Sequence, residues 1–143
     1  MRIHNAMSSD VRLAAPDQTL RDAARMMAEI DAGSLPVGEN DRLVGMITDR
    51  DIAVRGVAAG KGPDTPIRDV MSEEVCYCFD DQDVKEVCAN MSDIKVRRLP
   101  VLNRDKRLVG IVSLGDLVLS GDGAANTALS GISEPGGQHS QTA

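Results

Sequence analysis

Two short stretches of the sequence set a hydroxyl and a carboxylate three residues apart behind an apolar run: Thr48 and Asp51 in "LVGMITDRD", Ser113 and Asp116 in "LVGIVSLGD". The spacing has two readings. In the first, each pair is a capping box, in which the hydroxyl accepts from the backbone N–H at N3 and the carboxylate accepts from the N-cap N–H, for about 1 kcal/mol per cap. In the second, the same corner holds a ligand. A helix start offers amides and partial positive charge to a phosphate, and a carboxylate one turn in accepts two hydrogen bonds from a ribose diol. The two readings are compatible, and local spacing does not choose between them. Arg97 and Arg98 in "KVRRLPV" put two fixed cations beside the second corner, where guanidinium groups grip phosphate oxygens in pairs. The matching positions in "DAGSLPV" hold Gly33 and Ser34. Arginines at a strand start also serve as ordinary solubilising charge. Arg50, inside "TDRD", is a further candidate, with a surface ion pair on the helix as its alternative role.

Other chemistries find less support. Cys76 and Cys78 lie two apart on a predicted strand and so are expected on one face, while Cys88 falls on a predicted helix stripe. A zinc site wants about four ligands, and His4 and His139 stand near the ends without a metal-type spacing, so no metal is expected. The cysteines read as small core residues, and nothing nearby depresses the pKa of Cys76 for redox sensing. No nucleophile and base are paired and no Walker-type loop is present. The chain is expected not to be an enzyme, a mechanism run by carboxylates alone being the one catalytic option left open.

The two corners recur because the chain repeats itself. Displaced by 64 residues, Met7-Ser8 meets Met71-Ser72, Asp17-Gln18 meets Asp81-Gln82, Met27 meets Met91, and Leu35-Pro36-Val37 meets Leu99-Pro100-Val101. One inserted residue near Lys106 changes the displacement to 65, after which Leu43-Val44-Gly45 meets Leu108-Val109-Gly110 and Asp51 meets Asp116. In the first copy Val11 and Leu13 predict a short strand. Leu20, Ala23, Ala24, Met27 and Ala28 predict one face of a helix, with Thr19 and Asp22 at its start. "SLPV" and "LVGMIT", separated by the turn-rich "GENDR", predict a hairpin, and a last helix follows Thr48 to about Gly56. The second copy predicts a strand over 75–79, a helix carrying Val84, Val87, Cys88 and Met91, strands near 98–102 and 107–112, and a helix after Ser113. Each copy is β-α-β-β-α, and the fold class is α+β. The first repeat spans 1–60, a linker at 61–66 closes the Gly- and Pro-rich stretch from 58, and the second repeat spans 67–120. The tail 121–143 is too poor in large apolar groups to repay ordering and is expected to be disordered.

Composition removes whole classes of function. The 143 residues carry a net charge of −6, so there is no basic field for a nucleic-acid backbone. No apolar run reaches the roughly 18 residues of a membrane span, and the start lacks the apolar centre of a signal peptide. Three cysteines form no even disulfide framework, so a soluble protein of the reducing cytoplasm is expected. With 42% hydrophobic residues but one Tyr, one Phe and no Trp, the core must be aliphatic, and Tyr77 is expected to pack within it.

The "MS" openings, the "LPV" strands and the "LVGMITDRD" and "LVGIVSLGD" endings resemble the tandem cystathionine β-synthase (CBS) domain pair, or Bateman module, over roughly residues 3–120. The resemblance implies two repeats related by a pseudo-twofold axis, with clefts that take adenosine-type ligands such as AMP, ADP, ATP, NAD or S-adenosylmethionine. It also implies that Thr48, Asp51, Ser113 and Asp116 contact phosphate and ribose, and that a basic pair such as Arg97 and Arg98 meets phosphate. Where this family often carries a hydroxyl on its first strand, this sequence has Leu13 and Tyr77, so the two clefts are expected to differ. The expected function is a regulatory ligand sensor that signals to an unidentified effector protein. The alternative is a constitutive dimeric scaffold without a nucleotide. Apolar side chains expected on the late helices, Ile52 and Val54 or Leu117 and Leu119, favour a homodimer.

Overall fold

The computed structural model describes residues 1–119; the tail at 121–143, expected to be disordered, lies outside the described residues. In the first repeat the Thr19–Asp22 box opens α1 (Leu20–Ile30), with both reciprocal bonds at 3.1 Å. Leu20, Ala23 and Met27 are buried, but Ala24 and Ala28, read as part of the same stripe, are exposed. The helix stops at Asp31, whose left-handed φ of 53° lets Ala32 N–H reach back to the Met27 carbonyl at 3.1 Å.

β1 (Ser34–Glu39) and β2 (Arg42–Thr48) then form an antiparallel hairpin. Asn40 and Asp41 both take positive φ, 54° and 64°, as a two-residue type I′ turn requires. At Thr48 the chain enters α2 (Asp49–Asp51), which widens into a π-helical stretch, Ile52–Val57. The strand expected at Val11 and Leu13 does not form. Only Ala14 bridges β1, through Ala14 N–H to the Pro36 carbonyl (3.0 Å) and Gly38 N–H to the Ala14 carbonyl (2.9 Å). Pro16, which has no N–H to donate, follows two residues later.

The second repeat follows the same order and adds a short opening strand. β3 (Cys78–Phe79) runs parallel to β4 (Arg98–Leu102), and β5 (Leu108–Ser113) lies beside β4. The strand expected over 75–79 is therefore only its last two residues. α3 (Val84–Ile94) is capped by Asp83, which accepts from Lys85 N–H at 2.9 Å, and it buries Val84, Val87, Cys88 and Met91. It ends on Lys95, again left-handed at φ 55°. α4 (Leu114–Leu119) closes the described chain. The class is α+β.

The units of duplication in the sequence are not the units in space. Among the described residues, a first unit comprises Asp10–Cys76 with Asp105–Leu108; a second comprises Met1–Ser9, Tyr77–Arg104 and 109–119. Each is built on the helices and hairpin of one repeat but takes its opening segment from the other. In the second unit, Ile3 N–H bonds the Gln82 carbonyl (2.9 Å), and Ser8 and Ile111 exchange two backbone bonds at 2.8 and 2.9 Å. In the first, Ile67 N–H bonds the Gln18 carbonyl (2.8 Å), and Ser72 and Met46 exchange two bonds at 2.9 Å. Ile3 joins Val84, Met91, Leu99 and Val112 in one aliphatic core; Ile67 joins Leu20, Leu35, Val37 and Ile47 in the other. No aromatic ring takes part in either core among the described residues.

Glycine makes these pairings possible. A Cβ on Gly110 would meet Met7 Sδ at 2.6 Å and the Ser8 carbonyl at 2.8 Å; one on Gly45 would meet Met71 Sδ at 2.7 Å and the Ser72 carbonyl at 2.8 Å. Gly45→Ala and Gly110→Ala are each expected to cost about 1–3 kcal/mol, seen as a lower urea midpoint. A loss under about 0.5 kcal/mol at either site would show that the opening segments move aside freely.

Candidate functional site

Both hydroxyl–carboxylate corners form as capping boxes. In the first unit, Asp51 N–H donates to Thr48 Oγ1 and Thr48 N–H to Asp51 Oδ2, each at 3.0 Å. In the second, Asp116 N–H donates to Ser113 Oγ at 3.1 Å and Ser113 N–H to Asp116 Oδ2 at 2.9 Å. The box draws on one oxygen of each carboxylate, so the second oxygen retains acceptor capacity. At Asp51 that second oxygen lies 4.0 Å from Arg55 Nη1, and the side chain is only 16% exposed.

Each corner also binds the residue that precedes its hairpin. Asp49 N–H donates to the Gly33 carbonyl at 2.9 Å, and Leu114 N–H to the Arg97 carbonyl at 2.8 Å. The second bond ties the Arg97 backbone to the start of α4, with Arg98 opening β4 beside it. Both arginine side chains are exposed, and among the described residues neither forms an ion pair. Arg50 is exposed as well, and the ion pair given as its alternative role does not form among the described residues. It is Arg55, one turn later, that approaches Asp51 and also donates to Ser72 Oγ at 3.4 Å. Arg55 helps line a polar recess of ≈ 480 Å³ with Arg68, Met71, Ser72, Glu73 and Glu74.

Asp49 escaped the sequence reading. Its carboxylate accepts from Arg50 N–H at 2.8 Å and lies so close to Gly33 that a Cβ there would meet Asp49 Oδ2 at 2.8 Å. The available signal was its alignment with Leu114, an acid facing an aliphatic residue in otherwise matching words.

Several expectations need correction. Tyr77 is not in a core: it is 40% exposed and meets Phe79 edge to face at 5.5 Å, with Arg104 stacked 4.1 Å from the Phe79 ring. Cys76 is exposed while Cys78 is buried, because the strand begins only at Cys78 and its alternation never reaches Cys76. Cys78 and Cys88 do fill core positions, at 2% and 1% exposure. Burial pushes the Cys78 thiol up to about 12, which keeps it protonated at neutral pH. Leu117 is fully buried and Ile52 partly so; Val54 and Leu119 are exposed. Ala24 borders an apolar recess of ≈ 300 Å³ with Leu20, Ile52, Val57 and Pro63, which accounts for its exposure. Among the described residues no group of three or more His, Cys, Asp or Glu side chains is placed to hold a metal, and no helix is long and apolar enough to cross a membrane.

Comparison with known proteins agrees with the duplicated architecture. The family model described as "CBS domain" matches residues 3–56 and 67–121. The CBS domain-containing protein YhcV of Bacillus subtilis is 37% identical over 133 residues, 92% of this chain and 94% of that protein. Among solved structures, Hypoxic Response Protein I, crystallised with two coordinated zinc ions, superposes with a TM-score of 0.76 at 36% identity, covering 83% of this chain and 98% of that one. The CBS domain pair of protein MJ0100, in complex with 5′-methylthioadenosine and S-adenosyl-L-methionine, gives a TM-score of 0.74 at 26% identity, covering 86% and 97%.

Thr48→Ala and Ser113→Ala are each expected to cost about 1 kcal/mol in urea unfolding through the lost cap. Acid sensitivity has a separate origin. Asp22 is held below the ordinary 3.8 by the Thr19 backbone N–H, Asp81 by its hydrogen bonds from Arg104, and Asp83 by the Lys85 backbone N–H. A carboxylate with a lowered folded pKa contributes its full stability above the unfolded value and loses it as pH falls through the folded one. Stability should therefore hold from pH 7 down to about 5 and decline below about 4. Asp81→Asn should make that decline shallower in pH-dependent urea melts.

Proposed function

The chain belongs to the CBS domain family, and from that premise we propose that it is a regulatory module which binds an adenosine-type ligand and passes its occupancy to a partner protein. The observation that carries this reading is the twofold occurrence of one polar corner. A hydroxyl and a carboxylate are held rigid by the same two backbone bonds at Thr48–Asp51 and again at Ser113–Asp116. A carboxylate fixed in this way accepts from a ribose diol without paying for side-chain ordering at the moment of binding. Support comes from the MJ0100 pair, which holds two adenosine compounds on the same fold. Arg97 and Arg98 then serve as phosphate ligands at the second corner, and Arg50 lies beside the first. The module is read as non-catalytic, cytoplasmic and homodimeric, with Val54 and Leu119 among the apolar side chains that a dimer contact would cover.

The test is thermal unfolding with AMP, ADP, ATP, NAD and S-adenosylmethionine. A ligand at 100 times its Kd adds about 2.7 kcal/mol, several degrees for a domain of this size. If AMP raises the midpoint, Asp116→Ala is expected to lose most of the gain, and Arg97→Ala to penalise AMP more than adenosine. No shift with any ligand of the panel would favour the constitutive scaffold.

A further inference from the structure

The apolar recess of the first unit is walled by Leu20 and Ala24 of α1, by Ile52 and Val57 of the π-helical stretch and by Pro63, around a volume of ≈ 300 Å³. At the matching positions of the second unit, Cys88 for Ala24 and Leu117 for Ile52, the side chains are 1% and 0% exposed. In the first unit Ala24 is exposed and Ile52 half-buried, and Val57 beside them is 70% exposed. The same pair of positions is closed in one unit and open in the other.

The recess also carries cations. Arg21 and Lys61 belong to its lining; Arg21 is paired with Asp64 at 2.7 Å, while Lys61 forms no ion pair among the described residues. In a chain of net charge −6, a cation beside an apolar wall suits an occupant that is both apolar and acidic. Residues 120–143 have that composition: Leu129 and Ile132 are their only large apolar residues, and Asp122 and Glu134 their only Asp, Glu, Lys or Arg. Three apart, Leu129 and Ile132 can face one surface together in a single helical turn, with Glu134 two residues on. From Leu119, ten residues of extended chain reach about 33 Å, the diameter of a small domain. Two large apolar groups are too few for a core of their own, but they can fill a recess already built by folded elements. Covalent attachment holds them at an effective concentration on the order of 1 mM, so a weak contact suffices.

We propose that the apolar recess of the first unit is a docking site for the chain's own C-terminal segment, in which Leu129 and Ile132 cover Ala24, Ile52 and Val57 and the Glu134 carboxylate pairs with Lys61. The segment closes in the first unit the positions that are already closed at Cys88 and Leu117 in the second. Because it covers Val57, a second copy of the chain would have to displace it to use this face. Ile52 directly follows Asp51, so the docked segment bears on the helix that holds the carboxylate of the first corner.

NMR of the full chain tests the docking. Nuclear Overhauser contacts are expected from the Leu129 or Ile132 methyls to those of Ala24, Ile52 or Val57. Amides 128–134 should exchange with solvent at least about threefold more slowly than in the Leu129→Ser/Ile132→Ser double variant. Lys61→Glu should remove most of that protection, and adding Glu134→Lys to it should restore it, a rescue that a merely structural change in the recess would not give. Equal exchange in the wild type and the double variant, or recess methyls that keep their shifts in that variant, would overturn the docking. Protection that vanishes on about hundredfold dilution, read by mass spectrometry, would overturn it as well, because the occupant would then be a second copy of the chain.

Discussion

Two pairs of backbone hydrogen bonds at the sheet edges, Ser8 with Ile111 and Ser72 with Met46, are the interactions on which the rest of this structure depends. Each joins an opening segment from one repeat to the hairpin of the other, and each is possible only because a glycine lies under the crossing chain. A single repeat therefore cannot complete its own sheet edge or its own aliphatic core, since Ile3 and Ile67 are both supplied from the other copy. The two copies complete one another, and together they give two corners of the same backbone geometry in one chain. The unpaired edge that a lone hairpin would present to solvent is covered in the same step.

On the proposed reading, one set of bonds at each corner serves both stability and recognition. A capping box satisfies two helix-start amides and freezes a hydroxyl and a carboxylate in fixed rotamers. What remains is a carboxylate oxygen with spare acceptor capacity, held in place by the fold before any ligand arrives. Identical boxes then leave room for divergence one residue further on. Asp49 accepts from the next N–H in its own helix start, where the second corner has Leu114 and Gly115, with the exposed Arg97 and Arg98 ahead of its hairpin. The same duplication that folds the chain thus lets its copies separate in chemistry without altering the scaffold.

The aliphatic interior has a related consequence. Cores built from Val, Leu, Ile, Met, Ala and Cys leave both aromatic rings outside them, where Tyr77 meets the half-buried Phe79 edge to face and Arg104, held by Asp81, stacks on Phe79. The expectation that a lone tyrosine belongs in the core failed: Tyr77 lies just before a two-residue strand, Cys78–Phe79, and is 40% exposed. The same short strand turned Cys76 outward. The cysteine error came from extending a period-2 pattern past the point where hydrogen bonds hold the chain extended; the tyrosine error came from composition, which carries no information on where a ring lies.

The sequence by itself determined the duplication, the helix–hairpin–helix order shared by both copies, the caps at Thr19, Thr48 and Ser113, and the hairpins. The duplication is written in matching words 64 or 65 residues apart, and the rest is encoded within a few residues, in hydroxyl–carboxylate spacing or apolar period. Only the tertiary structure decided which repeat each opening segment completes, how far the short strands run, that Leu117 is buried while Ala24 is not, and that Asp49 occupies its own helix start. These depend on partners far along the chain, 26 residues apart for Met46 and Ser72 and 103 for Ser8 and Ile111, or on the direction of one side chain, and no local pattern carries that information.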